Sequence, residues 1–254
     1  MSDIRFTVRL ADTTIRAQVL HESTRAFCAD YCVEAGLPEA SPAFSVAVSP
    51  DDIAAERERS ARQNEIEGIP VRHYGDEYLE TLALYRKIAD GLLAYDTVLF
   101  HGSAVAVDGI AYLFAARSGT GKSTHARLWR EVLGARTMMV NDDKPLLRVT
   151  DCGTFVYGTP WDGKHHLSTN TSAPLRAVCL ISQGSENAIR AIDGLDALPR
   201  LLGQIHRPAG EDSLVAVLDL LDRMARTVAF YEMECLPDVA AARMSFSAMS
   251  GEVL

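Results

Sequence analysis

The sequence predicts an α/β fold, a core of strands and helices preceded by an α+β segment, and three observations carry that prediction. Strand-like runs alternate with amphipathic helical stretches along the chain. The apolar run Ile110 to Ala115 leads straight into a Ser/Gly/Thr loop, Ala116-Arg117-Ser118-Gly119-Thr120-Gly121, and then into the helical stretch His125 to Leu133. A second apolar run, Ala135 to Val140, ends in Asn141-Asp142-Asp143, so one helical crossover separates the loop from a pair of carboxylates.

Composition bounds the rest. With 254 residues, 48% hydrophobic and 23% charged, the chain can bury a sizeable core and lies far from the composition of disordered proteins. Its 25 Lys+Arg against 34 Asp+Glu leave a net charge of -9, which argues against nucleic acid or an anionic membrane as a partner. The longest apolar runs are strand-length, well short of the ~18 residues that a membrane-crossing helix needs. The N-terminal stretch alternates polar with apolar residues and lacks a secretory h-region. Cys28, Cys32, Cys152, Cys179 and Cys235 are scattered without CxxC pairing, as in reduced thiols. These features together predict a cytoplasmic location. Cys28 and Cys32 fall on a predicted helix, where core packing is favoured over a metal pair.

Residues 1–95 read as an N-terminal α+β segment and 96–254 as the core. Ile4 to Leu10 and Thr14 to Leu20 alternate around Ala11-Asp12-Thr13, an opening hairpin. A helix follows over His21 to Ala35, stopped by Gly36 and Pro38, then a strand over Phe44 to Val48. Ser49-Pro50-Asp51-Asp52 starts a charged helix whose Glu56-Arg57-Glu58-Arg59 run reads as a solvated face and whose end falls at Gly68 and Pro70. Tyr78, Leu82, Tyr85, Ala89 and Leu92 form the apolar stripe of a helix over Glu77 to Tyr95. Strands at Thr97 to Phe100, Ser103 to Val107 and Ile110 to Ala115 come in close succession, the last two joined by an Asp108-Gly109 turn.

Strand, glycine loop and helix occur in the order of a P-loop, or Walker A motif. Gly119 and Gly121 let consecutive N–H groups point inward at phosphate oxygens, and the helix start adds partial positive charge. Ser118, Thr120 and Thr124 complete the candidate nucleotide cradle. Lys122 supplies a cation for the outer phosphates, and Ser123 a small hard ligand for Mg2+. Ala116 stands where the motif usually begins with glycine. Asp142 and Asp143 suit a metal ligand beside a proton acceptor, although Asn-Asp-Asp is also turn chemistry. His101 ends a strand ahead of Gly102; alone, it would read as a structural residue.

Downstream, hairpin strands Leu146 to Val149 and Thr154 to Tyr157 feed the loop Gly158 to His166, in which Trp161, Asp162, Lys164 and His165 are candidate substrate contacts. Trp161 is equally suited to plugging the core. Leu175 to Ile181 reads as a strand. A short helix around Ala197 to Pro208 carries Arg200 and Arg207, of which Arg207 is a further candidate for an anionic substrate; both also suit a helix C-terminus. Ser213 to Val228 reads as a helix, Ala229 to Cys235 as a strand, and Pro237 to Arg243 as a last helical turn.

Phe100-His101-Gly102, then Ser118 to Ser123, then Asn141-Asp142-Asp143 resemble the catalytic core of HPr kinase/phosphorylase and, more distantly, phosphoenolpyruvate carboxykinase. The resemblance implies a mixed-sheet P-loop kinase with ATP and Mg2+ as cofactors and pyrophosphate or another nucleotide as alternative donors. It implies that Lys122 binds the β and γ phosphates, that Ser123 and Asp143 hold the metal, that Asp142 is the base, and that His101 stands beside the phosphate site. Gly158-Thr159-Pro160-Trp161-Asp162-Gly163 departs from the arginine-glycine segment of HPr kinases. The implied acceptor is therefore a hydroxyl on a small molecule, peptide or protein other than HPr. Residues 1–95 do not match the family's N-terminal domain, which suggests a substrate-selecting role. Two other readings share the same loop: a nucleotide-binding regulatory or assembly protein without phosphotransfer, and an ATP hydrolase.

Overall fold

A computed structural model describes residues 3–33, 41–66, 68, 70, 73–163 and 165–254. The chain divides into two units, Met1–Leu92 and Leu93–Leu254. Among the described residues no helix is long and apolar enough to cross a membrane.

The first unit opens with β1 (Ile4–Leu10) and β2 (Thr13–Val19), an antiparallel hairpin whose turn places Ala11 and Asp12 at positive φ. The short α1 (Glu22–Phe27) follows. It is shorter than its composition predicts, and the expected stop at Gly36 and Pro38 lies outside the described residues. Cys28, at its end, is a core residue whose thiol burial pushes up to about 12. β3 (Phe44–Ala47) pairs in parallel with β2, and α2 (Pro50–Ile66) and α3 (Asp76–Leu92) complete the unit.

Two buried carboxylates organise these helices. Glu80 of α3, fully buried, accepts from Leu20 N, His21 N and the Thr24 hydroxyl, which satisfies the charge that burial would otherwise penalise. Glu56 of α2 is also buried, paired with Arg59 and Arg86, so the expected solvated face is interrupted at this residue. The buried stripe of α3 runs through Leu79, Leu84, Ile88 and Leu92, while Tyr78 is half exposed. Of the predicted stripe, Tyr85, Ala89 and Leu92 are buried and Leu82 is half-buried, so only its Tyr78 end departs from the core face.

In the second unit the chain runs through β4 (Thr97–Leu99), β5 (Ser103–Val107), β6 (Ile110–Ala115), α4 (Lys122–Leu133), β7 (Thr137–Asn141), β8 (Leu146–Thr150), β9 (Gly153–Tyr157) and β10 (Ser172–Gln183). β11 (Ala188–Ile192), α5 (Gly194–Leu202), α6 (Glu211–Ala225), β12 (Ala229–Cys235) and α7 (Val239–Ser250) follow. The strands form one mixed sheet. β6, β10 and β12 are parallel neighbours, and β5 lies antiparallel between β6 and β7. The first residues of β10 pair with β9, which links the spine to the antiparallel ribbon β9-β8-β4, and β11 edges β12. Sequence periodicity missed β11, whose side chains are mostly exposed, and stopped α7 early; α7 runs on to Ser250 and ends against Gly251 at φ 80.

Alternation along the central strands divides the core between two faces. Leu113, Val178 and Leu180 pack with Leu201 of α5 and Leu220, Leu221 and Met224 of α6. Tyr112, Phe114 and Cys179 pack on the other face with Trp129 of α4 and Phe246 of α7. The Ser245 hydroxyl sits at the centre of this second cluster, accepting from Trp129 Nε1 at 2.8 Å, donating to Ala242 O, and lying 2.8 Å from His125 Nε2.

Burial pushes the His125 imidazole down to about 4. The native state therefore resists a proton that the unfolded chain takes up near its ordinary pKa of about 6.5. Stability from this group is complete above about pH 6.5 and is lost as pH falls toward 4, by on the order of 3 kcal/mol. Urea titrations from pH 7 to 4 are expected to show a shallower loss for His125→Gln than for the natural protein; identical slopes would refute the burial argument.

Candidate active site at one edge of the sheet

The register sets the geometry. Ser103 opposes Phe114, and Ala104 opposes Asn141, so the start of β5 and the ends of β6 and β7 share one edge. The loop leaving β6 and the carboxylates leaving β7 therefore emerge side by side, with β5 between them.

The loop over residues 116–121 turns on Gly119 at φ 77 and Gly121 at φ 123, torsions that favour glycine. A Cβ at either position would meet open space, so the requirement is torsional and not steric. Ser118 and Ser123 are exposed, while Thr120 and Thr124 are half-buried. Lys122 is buried at the first turn of α4, its Nζ donating to Ala116 O at 2.9 Å and Arg117 O at 3.4 Å. Burial holds its ammonium below the ordinary lysine range, opposed by the Asp143 and Asp142 carboxylates. The amine thus rests on the carbonyls of its own loop, near the charges at the end of β7.

Asn141 locks those charges in place. Fully buried, it accepts at Oδ1 from Asp143 N at 2.9 Å and Lys144 N at 2.6 Å, and donates from Nδ2 to Thr159 O at 3.1 Å. The Thr159 hydroxyl in turn donates to Lys144 O at 2.8 Å. The Asn-Asp-Asp segment is therefore both a turn and a holder of carboxylates. Asp142 is 6% exposed and accepts the Ser103 hydroxyl proton at Oδ1, 2.7 Å away. A Cβ on Gly163 would stand 3.2 Å from its Oδ2, so the missing side chain keeps that oxygen uncovered.

Asp143 lies 3.3 Å from His101 Nε2 and 3.2 Å from Lys144 Nζ. Burial alone would raise its carboxyl pKa, but the His101 hydrogen bond and the Lys144 cation outweigh it and hold the group ionised. The His101 pKa is lowered as well, which for an imidazole disfavours the charge. Its bond to Asp143 favours the protonated ring, yet burial and the Lys144 and Lys122 cations win and depress it. The depressed pKa favours a neutral ring donating from Nε2, with Lys144 as the lasting cation at Asp143. Gly102 brings this histidine in: its N–H donates to Asp143 O at 3.1 Å, and a Cβ there would stand 2.9 Å from Phe114 O.

Of the candidate substrate contacts, Trp161 is buried, and its carbonyl lies 3.3 Å from Thr159 Oγ1. Asp162 is committed to Ser168 N and Oγ and to His166 Nδ1, all within 3.1 Å. Both hold the loop's shape. His165 and Arg207 are exposed, and Lys164 lies outside the described residues. Sequence reasoning missed Ser103, Lys144 and Thr159 as members of this cluster; only the Asn-Asp-Asp turn signal pointed toward Asn141's part in it.

Two cavities flank the glycine loop. One of about 430 Å3, on the α4 side, is lined by Thr124, His125, Leu128, Ile181 and Leu236 among others. One of about 800 Å3, on the α5 side, is lined by Arg117, Ser118, Arg200 and Gln204 among others. Among the described residues no cluster of three or more His, Cys, Asp or Glu is arranged to hold a metal ion.

No family model matches the chain, and no curated protein matches it. A search of solved structures returns the Hpr(Ser) kinase/phosphatase from Coxiella burnetii, at 13% identity over 50% of this chain and 90% of that one, with a TM-score of 0.29. A likeness of that size carries no argument about fold or function.

Replacing the Asn141 amide removes several hydrogen bonds at a fully buried position. Asn141→Leu is expected to lower stability by about 2–4 kcal/mol in urea unfolding. A loss below about 0.5 kcal/mol would show that the turn does not depend on this residue.

Proposed function

We infer that the chain is an ATP- and Mg2+-dependent phosphotransferase acting on a hydroxyl group. One observation carries the reading: the loop holding Lys122 and the Asp142–Asp143 pair emerge at the same edge of the sheet, on either side of β5. Bridging a polyphosphate to two carboxylates is the arrangement that positioning and charge neutralisation of a transferred phosphoryl group require.

In this reading the loop N–H groups and Lys122 take the phosphates, the amine exchanging carbonyl partners for phosphate oxygens. The apolar wall of the smaller cavity, with Leu128, Ile181 and Leu236, suits the nucleobase. Mg2+ binds through few protein oxygens and completes its shell with phosphate and water, so it needs no cluster of side chains. The Ser123 hydroxyl and the ionised Asp143 carboxylate are hard oxygen donors of that kind and would hold it, and it would supply charge neutralisation to the phosphates. Ser103 fixes Asp142 Oδ1, leaving Oδ2 to receive the acceptor's proton as its oxygen bonds to the γ-phosphorus. The bond from that phosphorus to the bridging oxygen breaks, and ADP leaves. Neutral His101 holds Asp143 toward the metal.

Purified protein incubated with Mg-ATP and a cell metabolite and peptide mixture is expected to yield a new phosphorylated mass. Asp142→Asn should retain nucleotide binding and lose transfer by about 10²–10⁴-fold. Lys122→Ala should weaken both. Full transfer in either variant would contradict these roles, and ligand-stabilised melting without turnover on any acceptor would favour a regulatory nucleotide-binding protein.

A further inference from the structure

The larger cavity lies on the α5 side of the glycine loop and the one assigned to the nucleobase on the α4 side, the two meeting at Gly119, Thr120, Ile181 and Gln183. A reaction between two bound molecules needs two approaches to one phosphoryl group. With the loop over residues 158–168 spending Trp161 and Asp162 on its own structure, that cavity is the better-equipped approach.

We propose that the 800 Å3 cavity on the α5 side receives the phosphoryl acceptor, and that this acceptor carries an anionic group beside its reactive hydroxyl. The inference rests on the phosphotransferase reading. Three observations support it. First, residues 115–120 of the glycine loop line the cavity, and its Gln204 is one residue from the carboxylates: Gln204 O accepts from His101 N at 2.7 Å, and His101 contacts Asp143. Second, its charge is positive. Arg117 and Arg200 line it with no carboxylate among its described lining residues, while Arg200 Nη2 donates at 2.7 Å to Glu232 Oε2 outside that lining, a carboxylate it shares with Arg190. Glu232 thereby pre-positions Arg200 without cancelling it, which is how an arginine is readied for an anion. Third, the Gln204 side-chain Oε1 is buried with no hydrogen-bond partner among the described residues. A buried acceptor without a donor is costly, and a turn of this side chain toward the cavity would let an O–H or N–H of the bound compound satisfy it.

The acceptor's oxygen would gain the bond to phosphorus and its proton would pass to Asp142, as in the parent reading. Carboxylate and phosphate ester share the required anionic oxygens, so both are tested, each against its neutral counterpart. The probes are N-acetylserine with N-acetylserinamide, and glycerol 3-phosphate with glycerol, each with Mg-ATP, following ADP and the product mass. Transfer is expected to favour a charged member; the pair showing it identifies the anion. Arg200→Gln should raise that acceptor's KM by about tenfold and leave the KM for ATP unchanged.

Gly203 provides a second variant that does not touch the charge. Its φ is -70, and a Cβ there meets only ordinary contacts, the nearest Arg200 O at 3.4 Å, so a large side chain can project toward the cavity. Gly203→Trp should abolish acceptor-stimulated turnover while a fluorescent ATP analogue still binds. Neutral members serving equally well, or undiminished transfer in both variants, would overturn the assignment. Transfer to hydroxyls of the metabolite mixture but to neither charged probe would also overturn it, leaving the phosphotransferase reading intact; transfer to no hydroxyl at all overturns both.

Discussion

The pairing of β5 with both β6 and β7 is the constraint on which the site depends. Because Ser103 opposes Phe114 while Ala104 opposes Asn141, two loops from separate parts of the chain are held at a common edge within one strand width on either side of β5. A one-residue slip in either ladder would turn Ser103 away from Asp142 and reverse which side chains reach the core. Burial enforces the register: Ala104, Val105 and Ala106 of β5, Leu113 and Phe114 of β6, and Val140 of β7 are essentially inaccessible to solvent.

On that frame the charges are arranged by partners and not by exposure. Lys122 and Asp142 are both buried, yet each has hydrogen bonds that leave a specific atom for chemistry, while buried Asn141 holds the turn that carries the carboxylates. Lys122 rests on loop carbonyls that a phosphate oxygen can replace. Asp142 keeps Oδ2 beside Gly163. Asp143 remains ionised because Lys144 and the His101 N–H favour its charge over the cost of burial. A site built this way pays for its partly buried charges with the surrounding hydrophobic layers, those of α4 and α7 on one face and α5 and α6 on the other.

Much of this was legible in the sequence where the signal is local. Gly119, Gly121 and Lys122 announce their loop by spacing between a strand and a helix, Asp108-Gly109 announces its hairpin, and Asn141-Asp142-Asp143 stands out as a polar end to an apolar run. What could not be read depends on strand order. Nothing in the neighbourhood of Ser103 indicates that it meets Asp142, thirty-nine residues away, until β5 is inserted between β6 and β7. Glu56 looked like a surface acid because charge is normally solvated, and only tertiary pairing shows it, like Glu80, as a buried anchor. Trp161 and Asp162 looked like binding residues because they share a polar loop; their partners lie within that loop and its buried neighbours.

The central claim is geometric: the glycine loop and the carboxylates leaving β7 bind one metal-polyphosphate between them. A crystal grown with Mn2+ in place of Mg2+ and a non-hydrolysable ATP analogue, with the metal located by its anomalous scattering, tests it most directly. The metal is expected within ~2.0–2.3 Å of Ser123 Oγ and an Asp143 carboxylate oxygen, with the phosphates on the loop and Lys122 turned from Ala116 O toward them. A nucleotide bound away from the loop, or a metal that touches neither side chain, would contradict it.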